Sequence, residues 1–190
     1  MAAATASRDD LATVKAMTNW PPTPIKTERL VLRESEAKDR EVLVDLFSSP
    51  EVATYISDVP PRDEVDRTAP PVPGRRFGFF VVELDGAAIG MVSFDRRPPE
   101  HPGHTRTGGG EHELAYLFLP SSWGNGYASE ACAAAMRWFA ATLPGEPLVL
   151  TTQVANESSL RLALKLGFTE VERFEWYDAE QWFGVWSPVS

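Results

Sequence analysis

Two glycines one residue apart, Gly124 and Gly126, follow a short apolar run from Leu114 to Leu119 that Pro120 breaks, and an alanine-rich stretch comes after them. Strand, glycine turn, helix is an order that makes an anion site. The first N–H groups of a helix have no intrahelical acceptor, and they carry the positive end of the helix dipole. Glycine removes the Cβ atoms, so these amides can fold tightly around a phosphate and a ligand can approach the main chain. Such a cradle needs no lysine. An ordinary strand-to-helix turn has the same pattern, so the pair alone leaves both readings open. Two common phosphate loops are set aside, because no Gly-Lys-Ser/Thr follows as a P-loop requires and the third glycine of a dinucleotide fingerprint is missing.

The segment Trp123-Gly124-Asn125-Gly126-Tyr127-Ala128-Ser129-Glu130-Ala131 resembles the acetyl-coenzyme A pyrophosphate loop of the GNAT superfamily of N-acetyltransferases, in the form found in RimJ/RimL-like ribosomal-protein acetyltransferases. A second block, Asn156-Glu157-Ser158-Ser159-Leu160-Arg161 followed by Lys165-Leu166-Gly167-Phe168, is similar to that family's Asn-x-x-Ser…Lys-x-Gly-Phe segment. The opening Thr27-Glu28-Arg29-Leu30-Val31-Leu32-Arg33 is similar to its first strand, so the likeness runs from about residue 25 to the end. One departure is Ser121, where the wider superfamily often carries Gln or Arg three residues before the first loop glycine.

The resemblance implies an α/β fold: one domain over residues 25–190, with a mixed, mostly antiparallel sheet of about six to seven strands flanked by helices. Its fourth and fifth strands would splay to admit the pantetheine arm of acetyl-CoA. The loop Trp123, Gly124, Asn125, Gly126, Tyr127 and Ala128 would hold the pyrophosphate. Main-chain N–H groups at the strand end, at Leu119 beside Phe118, would receive the thioester carbonyl. Asn156 would orient the pantetheine arm, and Ser159 would hydrogen-bond the sulfur and help protonate it. Asn and Ser at a helix start are also common caps, and that reading stays open. Arg161 and Lys165, at i and i+4 on one helical face, would meet a coenzyme phosphate or only water. Glu113, at the start of the central strand, is the candidate general base acting through water, or else a salt-bridged glutamate.

Acetyl transfer to an amine needs a held thioester, a neutral amine, donors for the developing oxyanion and a proton for the departing thiolate. An α-amine with a pKa of about 7.8 costs only about 1 kcal/mol to deprotonate at pH 7, whereas a lysine near 10.4 costs about 4.6 kcal/mol. With one candidate carboxylate, a protein N-terminal α-amine is the easier acceptor, and small-molecule amines of low pKa, aminoglycoside-like or polyamine, stay open. A non-catalytic acyl-CoA binding or sensing module uses the same loop, and so does a nucleotide-binding protein.

The elements that must position these groups follow from composition and pattern. At 190 residues and 43% hydrophobic, the chain can bury one core. Its net charge of −9 argues against general nucleic-acid binding, so a polyanionic coenzyme must be held by local amides and nearby cations. The same surface favours a cationic acceptor, or simply aids solubility. Cys132 is the one cysteine, so no intrachain disulfide and no cysteine zinc cluster is expected, and it reads as a small buried thiol. No run is apolar enough to span a membrane and the start lacks a secretory pattern, which makes cytoplasm the default; a homodimer is compatible with everything above.

Residues 1–24 read as a flexible extension that Trp20 pins to the body. A strand over Arg29 to Arg33 precedes a helix capped by Asp39 that carries Val42, Leu43, Leu46 and Phe47 and ends at Pro50, and Glu51 to Ile56 adds a helical turn. Asp58 to Arg76 holds five prolines with interleaved charge, which disfavours a regular helix where similar proteins place one against the acceptor. Phe77 to Leu84 and Ala87 to Phe94 form a hairpin at Asp85-Gly86. Asp95 to His112 reads as a flexible loop containing His101, His104 and His112, with no further ligands for a metal. A helix over Ser129 to Thr142, a strand over Leu148 to Gln153, a helix over Ser158 to Leu166 closed by Gly167, and strands over Phe168 to Trp176 and Gln181 to Trp186 complete the chain. Tyr116, Tyr127 and Tyr177 pack in the core or line the slot.

Overall fold

A computed structural model of the chain describes residues 20–56 and 59–188. Its elements in order are β1 (Ile25–Lys26), β2 (Leu30–Arg33), α1 (Arg40–Ser48), α2 (Pro50–Ala53), α3 (Arg62–Thr68), β3 (Phe79–Leu84), β4 (Ala87–Arg96) and β5 (His112–Phe118). After these come α4 (Tyr127–Thr142), β6 (Leu148–Gln153), α5 (Glu157–Lys165), β7 (Thr169–Trp176) and β8 (Ala179–Trp186). The strands form one eight-stranded sheet in the order β1-β2-β3-β4-β5-β6-β8-β7, one or two strands more than expected. The two-residue β1 has too little pattern to be seen in the sequence.

The β3–β4 hairpin turns where it should, with Asp85 and Gly86 both at positive φ, the twist that a two-residue turn needs. All neighbouring strands run antiparallel except β5 and β6, which pair in parallel only through His112↔Leu148 and Glu113↔Val149. Beyond those two pairs β5 stays with β4 and β6 stays with β8, so the sheet splits open between them. The splay implied by the resemblance is therefore present, between the fifth and sixth strands once β1 is counted.

Alternation along the strands sends side chains to two helical layers. Leu32, Phe80, Val82, Val92, Phe94, Leu114 and Phe118 face α4, whose Ala131, Cys132, Ala135 and Phe139 are buried; small residues let the helix lie close on the sheet. Burial pushes the Cys132 thiol pKa up, as suits a packing group and not a nucleophile. On the opposite face Phe79, Val81 and Met91 pack under Leu43 and Leu46 of α1. Each large side chain so buried contributes on the order of 1.5–3 kcal/mol. Trp20 packs edge-on against Phe77, Phe80 and Trp138; the rest of the predicted extension up to residue 19 lies outside the described residues.

Three expectations need correction. A regular helix, α3, does form inside the proline-rich segment, because Pro60 and Pro61 precede its first turn and Pro70, Pro71 and Pro73 follow its end. Proline is harmful inside a helix and tolerated at its borders, so position outweighs number. Asp39 does not cap α1 with its side chain; it accepts a fork from Arg33 (2.7 and 2.9 Å) and the N–H of Glu36. The segment between β4 and β5 is anchored, not loose. Glu111 has no exposed surface and accepts from the Thr105 and Arg106 N–H groups, the Thr105 hydroxyl and the His104 ring. His112 belongs to β5 and packs against Phe139.

Candidate functional site

The register between β4 and β5 decides which main-chain groups look into the split. Leu119 N–H donates to the Ile89 carbonyl at 2.9 Å, and Leu117, Ala115 and Glu113 sit opposite Met91, Ser93 and Asp95 in the same register. Residues of an antiparallel strand alternate in the side to which they offer N–H and C=O. The odd-numbered residues thus spend theirs on β4, and Tyr116 and Phe118 offer theirs to the gap. The expectation at Leu119 is corrected accordingly: its N–H is used inside the sheet, and those of Tyr116 and Phe118 border the slot. The Phe118 carbonyl accepts Trp123 Nε1 at 2.8 Å, which ties the exposed indole to the strand end.

A cleft of about 1110 Å3 occupies the split. At one end lie Phe118, Trp123, Gly124, Gly126, Tyr127 and Ala128, with Asn156, Ser159 and Arg161 across from them. Gly124 and Gly126 adopt left-handed φ values of 76° and 78°, which favour glycine, and no atom lies within 4 Å of a Cβ placed on Gly124. No side chain caps α4, so the amides at its start keep their donors for a ligand. Asn125 folds Nδ2 back onto the Trp123 carbonyl at 3.0 Å and braces the turn, and it does not line the cleft.

The turn is held from behind by residues the sequence reading gave no role. Arg29 donates to the Asn125 carbonyl at 3.0 Å and to Glu130 at 2.7 Å, and its guanidinium lies 4.6 Å over the Tyr127 ring. Glu130 also accepts from the Thr27 hydroxyl at 2.6 Å and the Arg29 N–H. Burial would raise its carboxyl pKa, but the Thr27 and Arg29 donors hold it below the usual carboxylate range. Two of the three matching sequence blocks are thereby joined across 101 residues. Their co-occurrence was the signal; the contact itself could not be read from spacing.

In the middle of the cleft Tyr116 OH and Ser159 Oγ are 2.6 Å apart. Burial drives the Tyr116 phenol pKa up, with the Ser159 hydrogen bond acting in the opposite sense, so the pair stays neutral and can pass or orient a proton. Asn156 accepts the Ser159 N–H at 3.1 Å and so caps α5, while it also lines the cleft; a carboxamide has two ends, and capping uses only the oxygen. Arg161 lines the cleft and pairs with Glu157 at 3.1 Å. Lys165, one turn on, is exposed and off the cleft.

The far end is made of side chains. Glu113 lines it, with Oε1 held by Arg97 Nη1 at 2.6 Å. Arg97 is only 1% exposed; it donates further to the Gly103 and Pro102 carbonyls, and its guanidinium sits 5.5 Å from the rings of both Trp176 and Phe183. The salt-bridged reading of Glu113 is thus present, and it leaves the second carboxylate oxygen for a water or an amine. Arg76 grips Asp95 with two 2.7 Å hydrogen bonds. The His101 ring packs at a tilt against Trp176, and Trp176 against Tyr177, with centroids 4.6 Å apart in each pair; all three line the cleft, as does Tyr55. The described residues contain no group of three or more His, Cys, Asp or Glu side chains that could hold a metal ion, and no helix long and apolar enough to cross a membrane.

Comparison with known proteins agrees with this geometry. The family model described as acetyltransferase (GNAT) domain matches residues 29–169. An uncharacterized N-acetyltransferase, p20, from Bacillus licheniformis is 28% identical over 152 residues, spanning 75% of this chain and 80% of its own length. Among solved structures, a GNAT-family acetyltransferase from Bacillus anthracis superposes with a TM-score of 0.69 at 24% identity, over 87% of this chain and 98% of that one. The ribosomal L7/L12 α-N-protein acetyltransferase RimL, solved in complex with coenzyme A, shares the fold with a TM-score of 0.66 at 16% identity, over 87% and 98% of the two chains.

Proposed function

Because the chain belongs to the acetyltransferase (GNAT) domain family and is an N-acetyltransferase, we propose that it moves an acetyl group from acetyl-coenzyme A to a primary amine, either a protein N-terminal α-amine or a small molecule. The observation that carries this reading is the continuous cleft, which links unpaired amides at the start of α4 to Glu113 through the split between β5 and β6. In the RimL structure coenzyme A is bound to the same fold, which supports using the cleft in the same sense here.

In this mechanism the Gly124–Ala128 turn receives the diphosphate on backbone N–H groups, and the Tyr116 and Phe118 main chain borders the pantetheine arm. One of their N–H groups donates to the thioester carbonyl oxygen, where negative charge develops. The amine nitrogen attacks the carbonyl carbon, forming the C–N bond; the C–S bond breaks and the sulfur leaves as thiolate. Ser159, hydrogen-bonded to Tyr116, delivers a proton to the sulfur, and the nitrogen loses one to a water held by Glu113. Products are the amide and free coenzyme A.

Purified protein mixed with acetyl-coenzyme A and a panel of amines should release thiol stoichiometrically with amide. Coenzyme binding with no turnover on any amine would count decisively against the transfer reaction.

A further inference from the structure

The cleft has a side chamber that the mechanism does not use. A cavity of about 440 Å3 lies beneath α3, and its walls include Leu46, Phe47, Ile56, Val65, Ala69 and Leu117. That volume falls within the range of about 300–1,000 Å3 usual for small-molecule sites. Phe47, Ile56 and Leu117 also line the main cleft, so the chamber opens from it. Leu117 projects from β5 on the same sheet face as Glu113 and Ala115, the face that α1 covers, and lies between the two residues whose N–H groups border the thioester slot. Ile56, at its mouth, is a large apolar side chain left 43% exposed.

A second, independent observation concerns charge. Three carboxylates line the acceptor end among the described residues: Glu51, Asp95 and Glu113. Asp95 is gripped by Arg76 and Glu113 by the buried Arg97. Only Glu51, at the exposed rim, has no arginine on it, and it accepts from the Ser49 hydroxyl. A polycation needs several carboxylates free to receive it, and here Asp95 is taken by Arg76 while Glu113 keeps only one oxygen clear of Arg97. The acidity of the whole chain, which pointed to a cationic acceptor, is cancelled locally where the acceptor must sit.

We infer that the chamber beneath α3 takes an apolar group flanking the acceptor amine, so that the acceptor is a primary amine carrying a bulky hydrophobic substituent, a large apolar N-terminal residue included, and not a polycation. This rests on the transferase reading, since the chamber matters only if an amine enters the cleft. The amine would reach toward Glu113 while its side group turns past Leu117 into the chamber.

The test is calorimetric titration of protein saturated with coenzyme A, using phenylalaninamide, glycinamide and spermidine. Phenylalaninamide should bind at least about tenfold tighter than glycinamide, the discrimination a buried apolar side chain provides, and spermidine no tighter than glycinamide. Ala69→Phe, which fills the chamber, should bring the ratio of the two amides close to one, and Ala53→Leu, at another lining position, should do the same should the first variant fail to fold. Equal binding of the two amides, binding of neither, or preference for spermidine overturns the inference. So does a donor-chain result, in which octanoyl-coenzyme A binds more tightly than acetyl-coenzyme A and Ala69→Phe removes that advantage. Loss of the transferase reading shows up separately, as no thiol release with any amine, while the binding ratios still judge the chamber.

Discussion

At the proposed coenzyme end of the cleft the lining surface is main chain: the Tyr116 and Phe118 strand edge and the amides beyond Gly124 and Gly126. At the acceptor end it is side chain, with Glu113 and Asp95 each held by an arginine and a rim of His101, Trp176 and Tyr177. Main-chain geometry follows from glycine placement and helix polarity within a dozen residues. The arginine pairs join residues 16 and 19 positions apart, and the rim brings Trp176 and Tyr177 of the last hairpin onto His101. The proposed coenzyme end is therefore built around a local turn that Arg29 braces from a distance, while the proposed acceptor end is assembled wholly by tertiary contacts.

That contrast can be broken most forcefully at Arg97. Arg97→Ala leaves Glu113 and two carbonyls without their donor in a buried place, a change expected to cost about 3–5 kcal/mol and to lower the melting temperature by about 10 °C. The amine KM should rise while coenzyme affinity, read by calorimetry, moves less than about twofold. A parallel fall in coenzyme affinity would show that the two ends are not separable.

Next in size is an acid effect confined to the acceptor-side loop. Burial alone would raise the Glu111 carboxyl pKa, but the His104 and Thr105 hydrogen bonds and the backbone hold it down at about 2. A folded pKa below the unfolded value contributes stability above the unfolded pKa and loses it as pH falls toward the folded one. The stability difference between the native chain and Glu111→Gln should be about 3 kcal/mol at pH 7 and close between about pH 4.5 and pH 2. Chemical denaturation across that range is the measurement, and a difference that does not vary with pH would mean that the ionised carboxylate is not what clips the loop.

At the coenzyme end, Gly126→Val forces a β-branched residue into φ 78° and crowds the turn, so coenzyme affinity should drop about 100-fold with little change in amine specificity. The smallest effect sharpens the boundary between the ends. Tyr116→Phe removes the 2.6 Å hydrogen bond to Ser159 and should lower kcat about tenfold while both substrates bind as before. An altered amine KM would move Tyr116 to the acceptor side.

Secondary structure was legible wherever one residue type dictates the backbone. Asp85-Gly86 announced its hairpin, Gly167 closed α5, and the Gly124 turn announced its helix. The reading failed where position within a segment mattered more than composition. Five prolines argued against a helix that forms between them, and an acidic Asp39 that looked like a cap is instead bound to Arg33. The resemblance put the thioester donors near Leu119, but only the pairing register tells which alternate N–H groups are already spent on β4.

By itself the sequence determined the family blocks, the glycine turn and the helix start on which the proposed anion site rests, because those depend on φ freedom and on helix ends, which are properties of a few consecutive residues. Tertiary structure alone decided that β5 and β6 part after two pairs, that Arg29 braces the loop, that Arg97 owns one oxygen of Glu113, and that a chamber opens beneath α3. Each of these is a distance between residues far apart in the chain, set by how two helical layers pack on one twisted sheet, and no local propensity encodes it.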